Sequence, residues 1–147
     1  MPNKIYLLVL CFFFSITTIV AQEWLTDFTT AKDLAAVDNR PIILVFQGSD
    51  WCAPCIKLDR DIWQSEAFKE YAAQHYIMLL ADFPRKKKNA LSDAQTHANA
   101  LLADAYNPNG NFPLVLVLDT AGKILGKTGY KKTSPQKYID LLNSFIQ

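Results

Sequence analysis

The sequence predicts a small three-layer α/β domain, a central mixed sheet with helices on both faces. Three observations carry this. Ile42-Ile43-Leu44-Val45-Phe46 is an unbroken apolar run rich in β-branched residues, the pattern of a central strand buried on both faces. Strand-like and helix-like segments alternate through the first part of the chain, and a hairpin and a closing helix follow. Half of the 147 residues are hydrophobic, with nine Phe, six Tyr and three Trp, which is enough for a single core. No repeat, low-complexity tract or long linker divides the chain, so residues 22–147 read as one domain. The formal net charge of +1 argues against a general nucleic-acid binder.

Residues 1–21 read as a signal peptide. Lys4 forms a basic n-region, Ile5 to Val20 is apolar, and Ala21 supplies the small residue at a cleavage site, leaving Gln22 as the mature N-terminus. The alternative is an uncleaved membrane anchor, but about sixteen apolar positions fall short of the ~20 that a spanning helix needs. The expected location is therefore outside the cytoplasm, periplasmic or secreted.

Trp24 to Phe28 suits an extended lead-in or a helix start. Thr30 to Val37 holds helix formers, with Thr29 or Thr30 as possible caps, and Asp38-Asn39-Arg40-Pro41 ends it. After the strand Ile42–Phe46, Gly48-Ser49-Asp50 turns into a helix expected from Ala53 to about Ile62, with Ile56, Leu58 and Ile62 facing inward. Ser65 opens another helix with Phe68, Tyr71 and Ala72 on its apolar side. Tyr76 to Phe83 is a second strand, broken by Pro84. Ala90 to Tyr106 reads as a long helix with Leu91, Ala94, Ala98, Leu101, Leu102 and Ala105 at helical spacing. Leu114 to Leu118 and Ile124 to Thr128 form strands around the turn Asp119–Lys123. Thr133, Ser134 and Pro135 start the last helix, with Tyr138, Leu141, Leu142 and Phe145 inward.

The chemistry lies in Trp51-Cys52-Ala53-Pro54-Cys55, at the junction of the buried strand and the following helix. Backbone N–H groups and the helix dipole there favour a thiolate over a thiol. A second thiol one turn away allows the pair to open a disulfide in a partner and close its own, Cys52–Cys55. Of the three cysteines, Cys11 lies in the leader, so the mature chain keeps only this pair. The alternatives are a structural disulfide or half of a zinc site. Zinc requires further ligands, and His75 and His97 do not stand at ligand spacing. No metal and no cofactor is expected. Arg85-Lys86-Lys87-Lys88 reads as a solvated loop, with docking of an acidic partner as the alternative.

Trp51–Cys55 after a buried strand, Phe112-Pro113 opening the next-to-last strand, and Gly129 before the last helix resemble the thioredoxin superfamily, from about Thr29 to Gln147. Gly48–Cys52, Lys57-Leu58-Asp59, Asp82–Lys86 and Thr128-Gly129-Tyr130 are similar to exported bacterial members and to the C-terminal domain of the membrane reductant-transporter family. The resemblance implies a thioredoxin-like three-layer sandwich and a thiol–disulfide oxidoreductase, acting as a monomer on client proteins with disulfides or thiols. A membrane or soluble thiol donor would supply its electrons. Cys52 would be the exposed nucleophile and Cys55 the buried resolving thiol. Pro113 would be a cis proline beside the motif, and Trp51, Phe112 and Pro113 would meet the substrate. Tyr130 would line the same groove or sit at the core rim. Ala53 and Pro54 would tune the potential. Enzymes of this type span roughly −270 to −120 mV, about 7 kcal/mol for two electrons, and Ala53-Pro54 places no histidine or charge at the sulfur, which favours a reductase or isomerase. Relatives carry a buried acid six positions before the first cysteine; here Phe46 stands there, leaving water, Asp50 or Asp82 to move protons. The second function class is a non-catalytic binding module that holds a client on its Cys52 face.

Overall fold

The computed structural model describes residues 22–147, so the expected leader and Cys11 lie outside the described residues. In chain order the elements are β1 (Trp24–Leu25), α1 (Phe28–Asp38), β2 (Ile42–Gln47), α2 (Ala53–Leu58), α3 (Glu66–His75), β3 (Ile77–Asp82), α4 (Asp93–Tyr106), β4 (Leu114–Leu118), β5 (Ile124–Thr128) and α5 (Pro135–Ser144). The strands form one five-stranded sheet in the order β1-β3-β2-β4-β5. β2 runs parallel to β3, with Ile43 opposite Met78 and Gln47 opposite Asp82, and antiparallel to β4, with Val45 opposite Val115. The expected parallel unit followed by an antiparallel hairpin is what forms, with β1 parallel to β3 as an added edge.

The side-chain period of two divides the strands between two cores. Ile43, Val45, Met78, Val115 and Val117 face α2, α3 and α5, where they meet Leu58, Phe68, Tyr138 and Leu142. Ile42, Leu44, Phe46, Leu79, Ala81 and Leu116 face α1 and α4, where they meet Ala31, Ala35 and Leu102. From Ile42 to Phe46 every residue is fully buried, so the apolar run marks a strand covered on both faces. Trp63 is the centre of the first core, with Phe68 at 4.6 Å, Tyr138 at 5.4 Å and Trp24 at 5.9 Å between ring centroids.

Four local expectations are corrected. α1 begins two residues early because Asp27, not Thr29 or Thr30, caps it, its carboxylate accepting the Thr30 N–H at 2.7 Å. The helix after the cysteines is α-helical only to Leu58 and continues as a π turn over Asp59–Trp63. The wider turn brings Ile62 and Trp63 both into the core, whereas Ile56, expected inward, precedes it and is 46% exposed because Cys55 and Leu58 occupy the inward face of α2. α4 starts at Asp93 because Ser92 caps it, after a short 3₁₀ turn over Lys87–Asn89. Its buried face also differs: Asn99 and Leu102 point inward, whereas Leu101 is 57% exposed. The Asn99 amide donates to the Asp82 carbonyl at 2.9 Å, and Gln95 donates to Asn99 at 2.8 Å. This buried polar chain turns the alanine face of α4 outward, because small alanines gain less by burial than an unpaired amide would lose.

Because Phe68 is fully buried against Trp63, Phe68→Ala should lower stability by about 3–5 kcal/mol. A urea titration should show this as a lower midpoint at unchanged slope.

Candidate active site

The turn Gly48-Ser49-Asp50-Trp51 joins β2 to α2, and the Cys52 N–H closes it by donating to the Gly48 carbonyl at 2.9 Å. Cys52 is the N-cap of α2, and its sulfur accepts the Cys55 N–H at 3.3 Å. Pro54 lies in the first turn, where the missing N–H leaves no bond unmade. Cys52 and Cys55 are joined in a disulfide, with their Cα atoms 5.2 Å apart. Cys52 is 4% exposed and Cys55 2%. The expected contrast between an exposed and a buried thiol is therefore absent in the disulfide state, where both cysteines are buried.

Two carboxylates bolt this turn to the segment after β3. Asp82 accepts from the Ser49 N–H at 2.9 Å and the Ser49 hydroxyl at 2.6 Å. Asp50 accepts from the Arg85 N–H, the Lys86 N–H and the Asn89 side-chain amide, each at 2.9 Å. The Arg85 N–H in particular holds the Asp50 carboxyl below the ordinary carboxylate range. Both acids named as proton-moving candidates are thus engaged with the backbone of the turn and loop.

Trp51 is fixed from three sides. Its indole N–H donates to the Phe83 carbonyl at 2.7 Å, its ring meets Phe112 edge-on at 5.5 Å, and the Arg85 guanidinium stacks over it at 3.6 Å. Phe83 closes the cluster against Phe112, also at 5.5 Å. The indole lies directly over Gly48, where any Cβ would collide with it. Phe112–Pro113 is a cis peptide bond at the start of β4. Gly129 lies against the Pro113 carbonyl, which would sit 3.2 Å from a Cβ at that position. Phe112 thus reaches the motif through Trp51. Tyr130 is placed elsewhere: its hydroxyl donates to Asp61 on the π turn at 3.0 Å and its ring packs on the core, which is the rim reading. His75 stacks on Tyr71, and His97 is exposed on α4.

A cavity of about 160 Å³ opens beside Cys55, lined by Gln47, Ser49, Ile56 and Asp59. Sequence reasoning did not find Asp59 as a site residue. Its signal was available, since it lies one helical turn after Cys55, as Cys55 lies one turn after Cys52. Phe46, at the position of the relatives' buried acid, is fully enclosed among apolar side chains.

A family model described as thioredoxin-like matches residues 23–120. A disulfide bond reductase of Chlamydia pneumoniae, DsbH, is 34% identical over 125 residues, covering 85% of this chain and 73% of that protein. The solved structure of a DsbH oxidoreductase superposes with a TM-score of 0.79 at 33% identity, covering 88% of each chain. A thioredoxin from Thermus thermophilus shares the fold at 13% identity and a TM-score of 0.62, over 84% of this chain and 86% of that one. So does the C-terminal domain of Neisseria meningitidis DsbD in its oxidised form, at 15% identity and a TM-score of 0.53, over 79% and 90%. With the matched span, the mixed sheet and the Cys-x-x-Cys disulfide all in agreement, the chain belongs to the thioredoxin-like family.

Proposed function

We propose that this chain is an exported reductase of protein disulfides, working through Cys52 and Cys55. The chain is a thiol–disulfide oxidoreductase, and the observation that carries this is the Cys52–Cys55 disulfide at the strand-to-helix junction. Its relative is named a disulfide bond reductase, and the reducing direction agrees with a pair whose middle residues, Ala53 and Pro54, bring no charge to the sulfur. The leader-like segment 1–21 supports export to a compartment where disulfides persist.

In the reduced enzyme, the Cys52 thiolate at the start of α2 attacks a client disulfide. A Cys52–client mixed disulfide forms, and the first client sulfur leaves as a thiolate that takes up a proton. Cys55 then loses its proton and attacks the Cys52 sulfur. The second client thiolate leaves, and the Cys52–Cys55 bond seen here remains. A donor dithiol returns two electrons and two protons by the same exchange in reverse. Cys55 is buried, so its proton needs a path. Water in the cavity beside it, with the Asp59 carboxylate on the cavity wall, is the route we infer. Trp51, Phe112 and Pro113 offer the face on which the client lies next to Cys52.

Insulin reduction by dithiothreitol should be accelerated by the native chain and not by Cys52→Ser, whereas equal activity would leave only the binding-module reading. Cys55→Ala should accumulate covalent client adducts on Cys52 that dithiothreitol releases. Asp59→Asn should prolong the mixed disulfide at least several-fold in single-turnover mixing with a client peptide, with the initial attack unchanged; an unaltered lifetime would remove Asp59 from the proton route. Intact mass of the chain recovered from the bacterial periplasm should begin at Gln22, and retention of residues 1–21 would favour the anchored form.

A further inference from the structure

The loop Arg85-Lys86-Lys87-Lys88 is not used by the exchange chemistry, yet it is built onto the same turn as the cysteines. All four side chains are exposed, and no ion pair of the described residues involves them. Without these four residues the chain has eleven basic residues against fourteen acidic ones, so four consecutive cations are a local excess on a net-acidic background. The nearest acids do not cancel it by pairing. Asp50 is engaged with the Arg85 and Lys86 backbone N–H groups and Asn89, and Asp82 with Ser49. The loop also holds its own shape: the Asn89 N–H donates to the Lys86 carbonyl at 2.9 Å and the Ala90 N–H to Lys87 at 3.2 Å. Arg85 stacks on Trp51, the residue next to Cys52, so the basic rim begins one residue from the reactive sulfur.

A solvated loop has no need of three anchors to the catalytic turn. Such anchoring keeps the charges at a set distance from the cysteines. Exposed charges of one sign beside a site raise encounter rates with oppositely charged partners and slow those with like charge, and salt screens the effect. We propose that the Arg85–Lys88 loop is a substrate-recognition rim of the dithiol site, selecting protein segments that carry Asp or Glu beside their disulfide. The proposal rests on the oxidoreductase reading and names the substrate class of that site.

The test uses the reduced native chain as a stoichiometric reductant in stopped-flow mixing, with two peptides identical except that the single disulfide is flanked by Glu in one and Lys in the other. Neutral hydroxyethyl disulfide is the control. At roughly 20 mM salt the Glu peptide should react about tenfold faster than the Lys peptide, and the gap should close near ~0.5 M. Lys87→Glu with Lys88→Glu should abolish or invert the preference and leave the control rate unchanged. Equal rates for the two peptides at low salt, or an unchanged preference in the double variant, would overturn the proposal. So would charge-dependent binding of the loop to anionic phospholipid vesicles without any peptide preference, which would assign the rim to a lipid surface. Failure of the native chain to reduce the neutral control would overturn the oxidoreductase reading, and the proposal with it.

Discussion

The geometry of the site depends on the junction between the C-terminal ends of β2 and β3. These parallel strands place Gln47 opposite Asp82, so the chain leaves the sheet at two adjacent points. One exit becomes the Gly48–Trp51 turn into the cysteines, and the other becomes the Phe83–Lys88 loop. Four acceptor bonds from Asp82 and Asp50 to backbone and hydroxyl donors at the start of these exits, and a fifth from Asn89, tie them together. A charged acceptor on a neutral donor makes a stronger bond than a neutral pair, and here these bonds join the two exits. Trp51 is held by that junction, and Phe112 is held by Trp51. Removing the junction would free Trp51 and its contact with Phe112.

The same junction explains the charge distribution. Carboxylates that serve as structural acceptors keep their charge turned toward the backbone, while the cations on the loop keep theirs turned toward solvent. The site therefore combines an aromatic floor of Trp51, Phe83 and Phe112 with a basic edge. Phe46 belongs to the apolar core on the α1–α4 side and cannot titrate, while a cavity bordered by Asp59 opens beside Cys55. The π turn that begins at Asp59 sets where that side chain leaves the helix, and it also delivers Ile62 and Trp63 to the core on the opposite side.

The fold class, the order of the elements, the dithiol and the two sheet faces were legible in the sequence because each rests on local pattern. The run Ile42–Phe46 shows burial on both sides without any partner being known. Cys52-Ala53-Pro54-Cys55 sets a one-turn separation by spacing alone. Ser65 and Ser134 show their helix starts, since a cap bonds within three residues. Apart from the helix starts, which Asp27 and Ser92 set locally, the largest misreading occurs where a distant residue decides the outcome. Asn99 rotates α4 by bonding to Asp82, seventeen positions away, and leaves the alanine stripe in water. Ile56 faces outward because Cys55 and Leu58 occupy the inward face of α2.

The sequence alone thus determined that this is a small three-layer α/β domain with a dithiol at a strand-to-helix junction, because the period of apolar residues and the spacing of two cysteines are properties of adjacent positions, and the resemblance of its motifs pointed to the thioredoxin fold. Only the tertiary structure decided what surrounds that pair: Asp50 and Asp82 as structural acceptors, Asp59 at the cavity of Cys55, and the basic loop fastened beside Trp51. Each of those roles except that of Asp59 depends on contacts between β2 and β3 ends more than thirty positions apart. Strand register creates such contacts, and register follows from packing both faces of the sheet at once, which no local stretch of sequence encodes.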